Sequence, residues 1–348
     1  MARSPKKVSQ TQLARELGIS QALVSLVLNG RRQGINADTY DRIWAHAVKR
    51  GYHPKGMRLA SSPVAQARQV GIILRAPLRL NTPTMYFGHV QHGLHTGIAA
   101  REFTTVFLGA EDQIDAEKLR RIFSPGHSFR GIVLVGEVSR SFLDQLRRLG
   151  LRIVAVSARY PGLCHSVLGN EPQALESIVD HLHKLGHRRF GWLGGNVGLG
   201  RHESRLHALE AALARVELRL DPRYAVKLKD GDRIEGADAV RALLPLARRK
   251  DFPTALVTYN TLMASGAVRE LGREGWRVPH DLSIASADFS PIATESTPPI
   301  TAAGSDPEKL GEAAARLVLE SAADEEAGFN DVMLPAQLFV GETTGPAR

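Results

Sequence analysis

The sequence predicts a multidomain chain: an all-α unit over residues 1–54, a linker over 55–69, and two α/β subdomains with parallel sheets filling residues 70–348. Three observations lead there. Residues 1–60 hold eleven Lys and Arg against Glu16, Asp38 and Asp41, so eight of the nine net positive charges fall in that short stretch. The same stretch carries only helical patterning. From Val70 onward, short apolar runs alternate with helical ones, which is the signature of strands and helices following one another.

In LARELGISQALVSLVLNG, from Leu13 to Gly30, the apolar positions Leu13, Leu17, Ile19, Val24 and Val27 or Leu28 close a small core across a turn at Gly18. Ser20 stands at the N-cap of the second helix, where its hydroxyl oxygen accepts from a free backbone N–H. The turn NGRRQGIN (Asn29 to Asn36) leads into ADTYDRIWAHAVKRGY, whose apolar face of Ile43, Ala47 and Val48 is ended by Gly51. The segment from Tyr52 to Gln69, YHPKGMRLASSPVAQARQ, is rich in Pro, Ser, Gly and Ala and reads as a linker. Strands follow at 70–74, 104–109, 131–136, 152–157, 188–195, 255–259 and 282–288, with helices at 114–123, 140–149, 172–185, 203–215 and 262–275. Strands that are apolar throughout require cover on both faces, and seven of them over about 280 residues divide into two units.

With 43% hydrophobic and 23% charged residues in 348, the chain has the composition of an ordinary globular protein. Cys164 is its only cysteine, so no internal disulfide and no cysteine metal cluster forms, which fits a reducing cytoplasm. No signal peptide is legible in MARSPKKVSQ and no apolar run approaches a membrane span, so the expectation is a cytoplasmic protein without a membrane partner.

The enzyme-like signals are weak. GWLGGNVGLG (191–200) sits between a strand and a helix, but its glycines at 195, 198 and 200 do not follow the dinucleotide pattern, and there is no P-loop. GHSFRG (126–131) is not a nucleophile elbow. His181, His183 and His187, and His202 with His207, lack a completing ligand and read as surface histidines near helix ends. No metal, cofactor or catalytic residue is indicated.

The first 60 residues are more specific. A short helix that follows a tight turn, starts with outward-facing residues and is flanked by basic ones suits entry into a DNA major groove. A nucleotide-dependent α/β enzyme and a sugar-binding receptor are the rival readings. The first needs the glycine loop to work and the second needs export.

Several ordered motifs then carry a resemblance. QLARELGISQALVSLVLNG, NADTYDRI and RGYHP resemble the DNA-binding headpiece of the lactose-repressor (LacI/GalR) family. HLHKLGHRRFGWLGG, FPTALVTYNTLMASGAVRELGREGWRVPHDLSIASADFS and LPAQLFVGETTGP resemble successive segments of that family's core. The resemblance implies a helix-turn-helix headpiece and a periplasmic-binding-protein-like core. The core's N-subdomain would span about 70–165 plus 296–325, and its C-subdomain about 166–295 plus 326–348. It further implies a transcription regulator of repressor type, acting as a homodimer on a near-palindromic operator and controlled by a small, sugar-like effector.

Carried over residue by residue, the resemblance gives Gln21, Ala22 and Leu26 as base readers. Gln bridges adenine edges, whereas Ala and Leu offer only apolar surface, for example to a thymine methyl. Thr11, Ser20, Ser25 and Asn29 fall on backbone-contacting positions, with Arg31 or Arg32 added by a turn one residue longer than expected. The hinge departs from the family's pattern, since Arg58 and Ser61 hold its Ala and Leu places. Either Met57 or Leu59 takes over as the minor-groove wedge beside Arg58, or the hinge does not insert; ordering of 55–62 is expected only on operator. In the core, Arg205, Asn260 and Asp288 match effector-binding positions, and Tyr86 and Phe87 match an aromatic near the ligand. Thr261 replaces the acid after Asn260, and SVLGNE (166–171) shows Gly169 and Asn170 where an acid is usual.

Overall fold

The computed structural model of the chain describes residues 9–28, 35–50, 58–59, 69–76, 85–124, 129–320 and 328–348. The N-terminal helices begin at polar capping residues, at Ser20 as expected. Ser9 Oγ accepts from Gln12 N at 3.1 Å and opens α1 (Gln10–Leu17), which ends at Gly18 with φ of +68°, a conformation that costs glycine least. Ser20 Oγ accepts from Leu23 N at 3.2 Å at the head of α2 (Gln21–Leu28), and Asn36 Oδ1 accepts from Asp38 N at 2.8 Å at the head of α3 (Ala37–Lys49). Leu13, Val24, Val27 and Ile43 are fully buried between the three helices, with Leu28, Tyr40 and Ala47 beside them. Leu17 and Ile19 close the edge of that core, half-buried.

The chain continues through β1 (Arg58–Leu59), β2 (Gln69–Leu74), α4 (Met85–Ala99), β3 (Thr104–Ala110), α5 (Ala116–Ile122), β4 (Phe129–Val135), α6 (Arg140–Arg147) and β5 (Arg152–Val156). Next come β6 (His165–Gly169), α7 (Glu171–Lys184), β7 (Phe190–Gly194), α8 (Gly200–Arg215), β8 (Ala225–Lys227), α9 (Arg233–Leu243), β9 (Ala255–Thr258) and α10 (Thr261–Arg273). The last elements are β10 (Ser283–Ser286), α11 (Pro291–Glu295), β11 (Thr301–Gly304), α12 (Pro307–Leu319), β12 (Asp331–Leu334) and β13 (Gln337–Phe339). Arg58 and Leu59, expected in a hinge that becomes helical on operator, form the two-residue strand β1 beside Val106 and Phe107 of β3. Met57 lies outside the described residues.

Two compact units result: Met1–Thr84 with Ile98–Ile153, and Met85–Gly97 with Val154–Arg348. In the first, the strands run β1–β3–β2–β4, all parallel. In the second, β5 from Val154 on, β6 and β12 pair in parallel. A separate sheet there has the order β13–β11–β10–β9–β7–β8, parallel except where β13 runs against β11. Every residue of β7, β9, β10 and β11 is buried, as strands covered on both faces must be. Leu175, Ile178 and Leu182 of α7, Leu209 and Leu213 of α8, and Met263 and Leu271 of α10 supply that cover. Each such side chain contributes about 1.5–3 kcal/mol by leaving water.

Two expectations are corrected here. His187 and His202 are not surface residues but 2% and 0% exposed. His187 joins Thr254 Oγ1 and the Gly345 carbonyl, both at 2.9 Å, while His202 donates from Nδ1 to the Gly195 carbonyl at 2.8 Å. His202 is buried on the inner face of α8 with only Nδ1 satisfied, whereas His187, in the turn between α7 and β7, has a partner at each ring nitrogen. The glycine loop has a packing reason of its own: a Cβ on Gly195 would stand 2.4 Å from Gly231 Cα.

Candidate functional site

Two places bring the singled-out residues together. The first is the outer face of the three-helix unit. Gln21 and Ala22, at the start of α2, are exposed, and Leu26 one turn later is 41% exposed although its neighbours Val24 and Val27 are fully buried. Leu26 is therefore not a core residue. Thr11 and Ser20 are exposed and Ser25 is half-buried. Ser20 caps its helix with the hydroxyl oxygen, and its proton remains available to a phosphate. Asn29, Arg31 and Arg32 lie outside the described residues, and of Arg58 and Leu59 only the backbone is described.

A clamp that the sequence pattern did not reveal joins α1 to α3, the two helices α2 packs on. Glu16 on α1 accepts from Arg50 Nε at 2.9 Å, from Arg50 Nη2 at 2.6 Å and from His46 Nε2 at 2.7 Å. The Arg50 and His46 hydrogen bonds hold the Glu16 carboxyl down at about 2, from an ordinary 4.5. A depressed acid contributes stability that is complete above its ordinary value and is lost as pH falls toward the folded value. The headpiece is thus expected to lose stability progressively below about pH 4.5, and Glu16→Gln should flatten that acid limb. NMR titration of the Glu16 carboxyl carbon checks the cause, since a midpoint near 4.5 would mean the clamp does not form in solution.

The second place is a pocket of about 210 Å³ in the second unit, at the carboxyl ends of its strands. Gly169 ends β6, Asp288 and Phe289 follow β10, and Ser305 follows β11, which is where open α/β sheets place ligands. Tyr86 from α4 and Arg201 and Arg205 from α8 complete the wall. Arg205, 1% exposed, donates from Nε to Glu171 Oε2 at 2.9 Å and from Nη1 to the Tyr259 carbonyl, with its guanidinium 4.8 Å from the Tyr259 ring centre. Arg201 donates from Nε to Glu171 Oε1 at 2.9 Å and from Nη2 to Tyr86 Oη at 3.0 Å, stacking 4.6 Å from that ring. The hydroxyls of Tyr86 and Ser157 share a hydrogen bond of 3.2 Å. Burial pushes the Glu171 carboxyl up, but Arg205 and Arg201 outweigh it and hold the group below its usual range, so it is ionised.

Asp288 is aimed by its neighbours. Its Oδ1 accepts from Thr261 N at 2.7 Å, from Ser286 Oγ at 3.1 Å and from Thr261 Oγ1, and the carboxylate borders the pocket. Thr261, which stands where the family has an acid, thus orients the acid that remains.

Of the five core positions carried over, Tyr86, Arg205 and Asp288 meet in this pocket, while Asn260 and Phe87 do not line it. Asn260 caps α10, accepting from Met263 N at 2.8 Å, and donates its amide to the Gly231 carbonyl at 2.7 Å, so both ends of the group are engaged structurally. Phe87 packs edge-on against Tyr86, ring centres 5.3 Å apart. Glu171, Arg201, Phe289 and Ser305 were missed. The one signal for Glu171 was the missing acid two residues earlier, at Gly169. Among the described residues no group of three or more His, Cys, Asp or Glu side chains is placed to hold a metal, and no helix is long and apolar enough to cross a membrane.

Comparisons with known proteins agree with this layout. Residues 179–344 match the periplasmic binding protein-like domain. The chain is 26% identical, over 357 residues, to the maltose regulon regulatory protein MalI of Escherichia coli (strain K12), covering 97% of this chain and 99% of that one. Its fold matches the transcriptional regulator CelR in complex with cellobiose, with a TM-score of 0.70 at 22% identity over 97% of this chain and all of that one. It also matches the lac repressor dimer bound to operator and the anti-inducer ONPF, with a TM-score of 0.68 at 18% identity over 98% of this chain and all of that one. In end-to-end coverage, a basic three-helix headpiece and two parallel-sheet α/β units, this chain is similar to these regulators throughout its length.

Proposed function

We propose that the protein is a sequence-specific DNA-binding transcription regulator, a repressor, whose operator affinity is set by a small effector in the core pocket. Residues 1–54 form the headpiece, 55–69 the hinge, and 70–348 an effector-binding and dimerisation core. It acts in the cytoplasm as a homodimer on a near-palindromic operator, with no enzymatic step. The observation that carries this reading is the face of α2: Gln21, Ala22 and Leu26 stand exposed on a helix whose other side is fully buried. An apolar residue held out in water in a basic unit fits a groove edge, where Gln21 reads by hydrogen bonds and Leu26 by apolar contact. The pocket's arginines, hydroxyls and carboxylate suit a hydroxyl-rich ligand, as the cellobiose complex of CelR illustrates for a protein of the same fold. Effector occupancy alters DNA affinity only through unequal affinity for two conformations of the core.

Selection of binding sites from random duplex DNA tests this directly. The wild type should enrich a two-fold-symmetric site, and Leu26→Arg should change the preferred base pair at one position of each half-site toward G·C, by about 1–3 kcal/mol. An unchanged preference would remove Leu26 from the interface. Repeating the binding with a panel of neutral sugars then tests the effector.

A further inference from the structure

Two guanidinium groups converge on one end of the pocket, and each gives its Nε–H to a different oxygen of the same carboxylate. That is the arrangement in which an arginine pair grips a ligand's carboxylate or phosphate. Here the gripped group belongs to the chain. Glu171 is the first residue of α7, directly after the cap Asn170, whose Oδ1 accepts from Gln173 N at 3.1 Å. Its backbone is therefore fixed, and its side chain is only 12% exposed. With Asp288, the pocket wall holds two positive and two negative charges, so an added anion would enter a buried site with no uncompensated cation to meet it.

We infer that Glu171 is a built-in anion that determines specificity: it engages the pocket's two arginines, refuses anionic ligands, and restricts the effector to an uncharged hydroxyl-rich molecule. The remaining polar side chains on the wall are Asp288, Asn170 and the Tyr86 and Ser305 hydroxyls, which match alcohol groups. This rests on the pocket being the effector site.

The test uses full-length Glu171→Ala and Glu171→Gln with inorganic phosphate as the probe, read by calorimetric titration and by melting temperature. The wild type should show no saturable binding. Glu171→Ala should bind phosphate at least on the order of tenfold more tightly than the wild type and regain lost melting temperature as phosphate is added. Glu171→Gln, which keeps the side-chain volume, should gain in the same direction. Adding Arg201→Ala to either should abolish the gain, which assigns it to this pocket. Equal binding by the wild type, or a folded Glu171→Gln that gains nothing, overturns the inference. Operator binding separates it from the regulatory reading. If neutral sugars shift the wild type's operator affinity but no variant gains an anion site, the specificity inference fails alone. If the variants gain the anion site while no sugar shifts operator affinity, the regulatory role of the pocket fails and the built-in anion stands.

Discussion

Arg205→Met should lower the stability of the effector-binding unit by about 3–5 kcal/mol, the range for breaking a buried charge pair from one side. Arg205 is 1% exposed, so water does not replace what the substitution removes. Two acceptors lose their donor: Glu171 Oε2 and the Tyr259 carbonyl. Arg201 still neutralises the other carboxylate oxygen, which keeps the loss at the scale of one partner and not of a whole triad. Arg201→Met should cost less, because its side chain is 17% exposed and its second bond, to Tyr86 Oη, ends on a hydroxyl that also has Ser157. The double change Glu171→Gln with Arg205→Met should cost less than the sum of the two single changes, because the bond they share is lost only once; that non-additivity is the signature of the pair. Denaturant unfolding followed by tryptophan fluorescence reads the effect, Trp192 being fully buried in the same unit. A loss below about 1 kcal/mol would place the pair among solvent-screened contacts and contradict its burial.

This site also shows where the sequence stops being legible. Arg205, Asp288 and Tyr86 are legible through the family resemblance of the segments they stand in, and of the three only Asp288 directly follows a strand end. Glu171 and Arg201 meet across two helices, 30 residues apart in the chain, and no periodicity connects them. Asn260 shows the converse: its position matches, but its amide caps α10 and holds the Gly231 carbonyl, and it does not line the pocket. The fold behaves in the same way. All seven expected apolar runs are strands, whereas β11, Thr301–Gly304, escapes notice because TAAG has no large apolar side chain, and β12 because its residues alternate between exposed and half-buried. In the headpiece the caps at Ser9 and Ser20 are local signals. The Glu16 clamp on α3 is not, since its partners lie 30 and 34 residues away.

The largest expected effect concerns salt. If the dimer neutralises about six DNA phosphates, three for each headpiece, operator affinity should fall about 10³-fold between roughly 50 and 200 mM monovalent salt. The basic residues needed are present: residues 1–60 carry eight of the nine net charges, and Arg15 and Arg42 are exposed on the described helices. Arg50 is the instructive exception. Its guanidinium is held by Glu16, and this pair contributes no net charge toward DNA. Arg50→Gln should therefore leave the slope of log affinity against log salt nearly unchanged while loosening the headpiece. Loss of a cation that does sit on a phosphate should reduce the slope by about one for each half-site. Leu26→Arg should alter base preference far more than slope, because a base edge carries no counterion to release. Fluorescence anisotropy on the selected operator, titrated with salt for the wild type and these variants, distinguishes the three behaviours. A wild-type affinity that stays flat across the range would leave the basic headpiece without a polyanion to bind, and the regulatory reading would lose its physical basis.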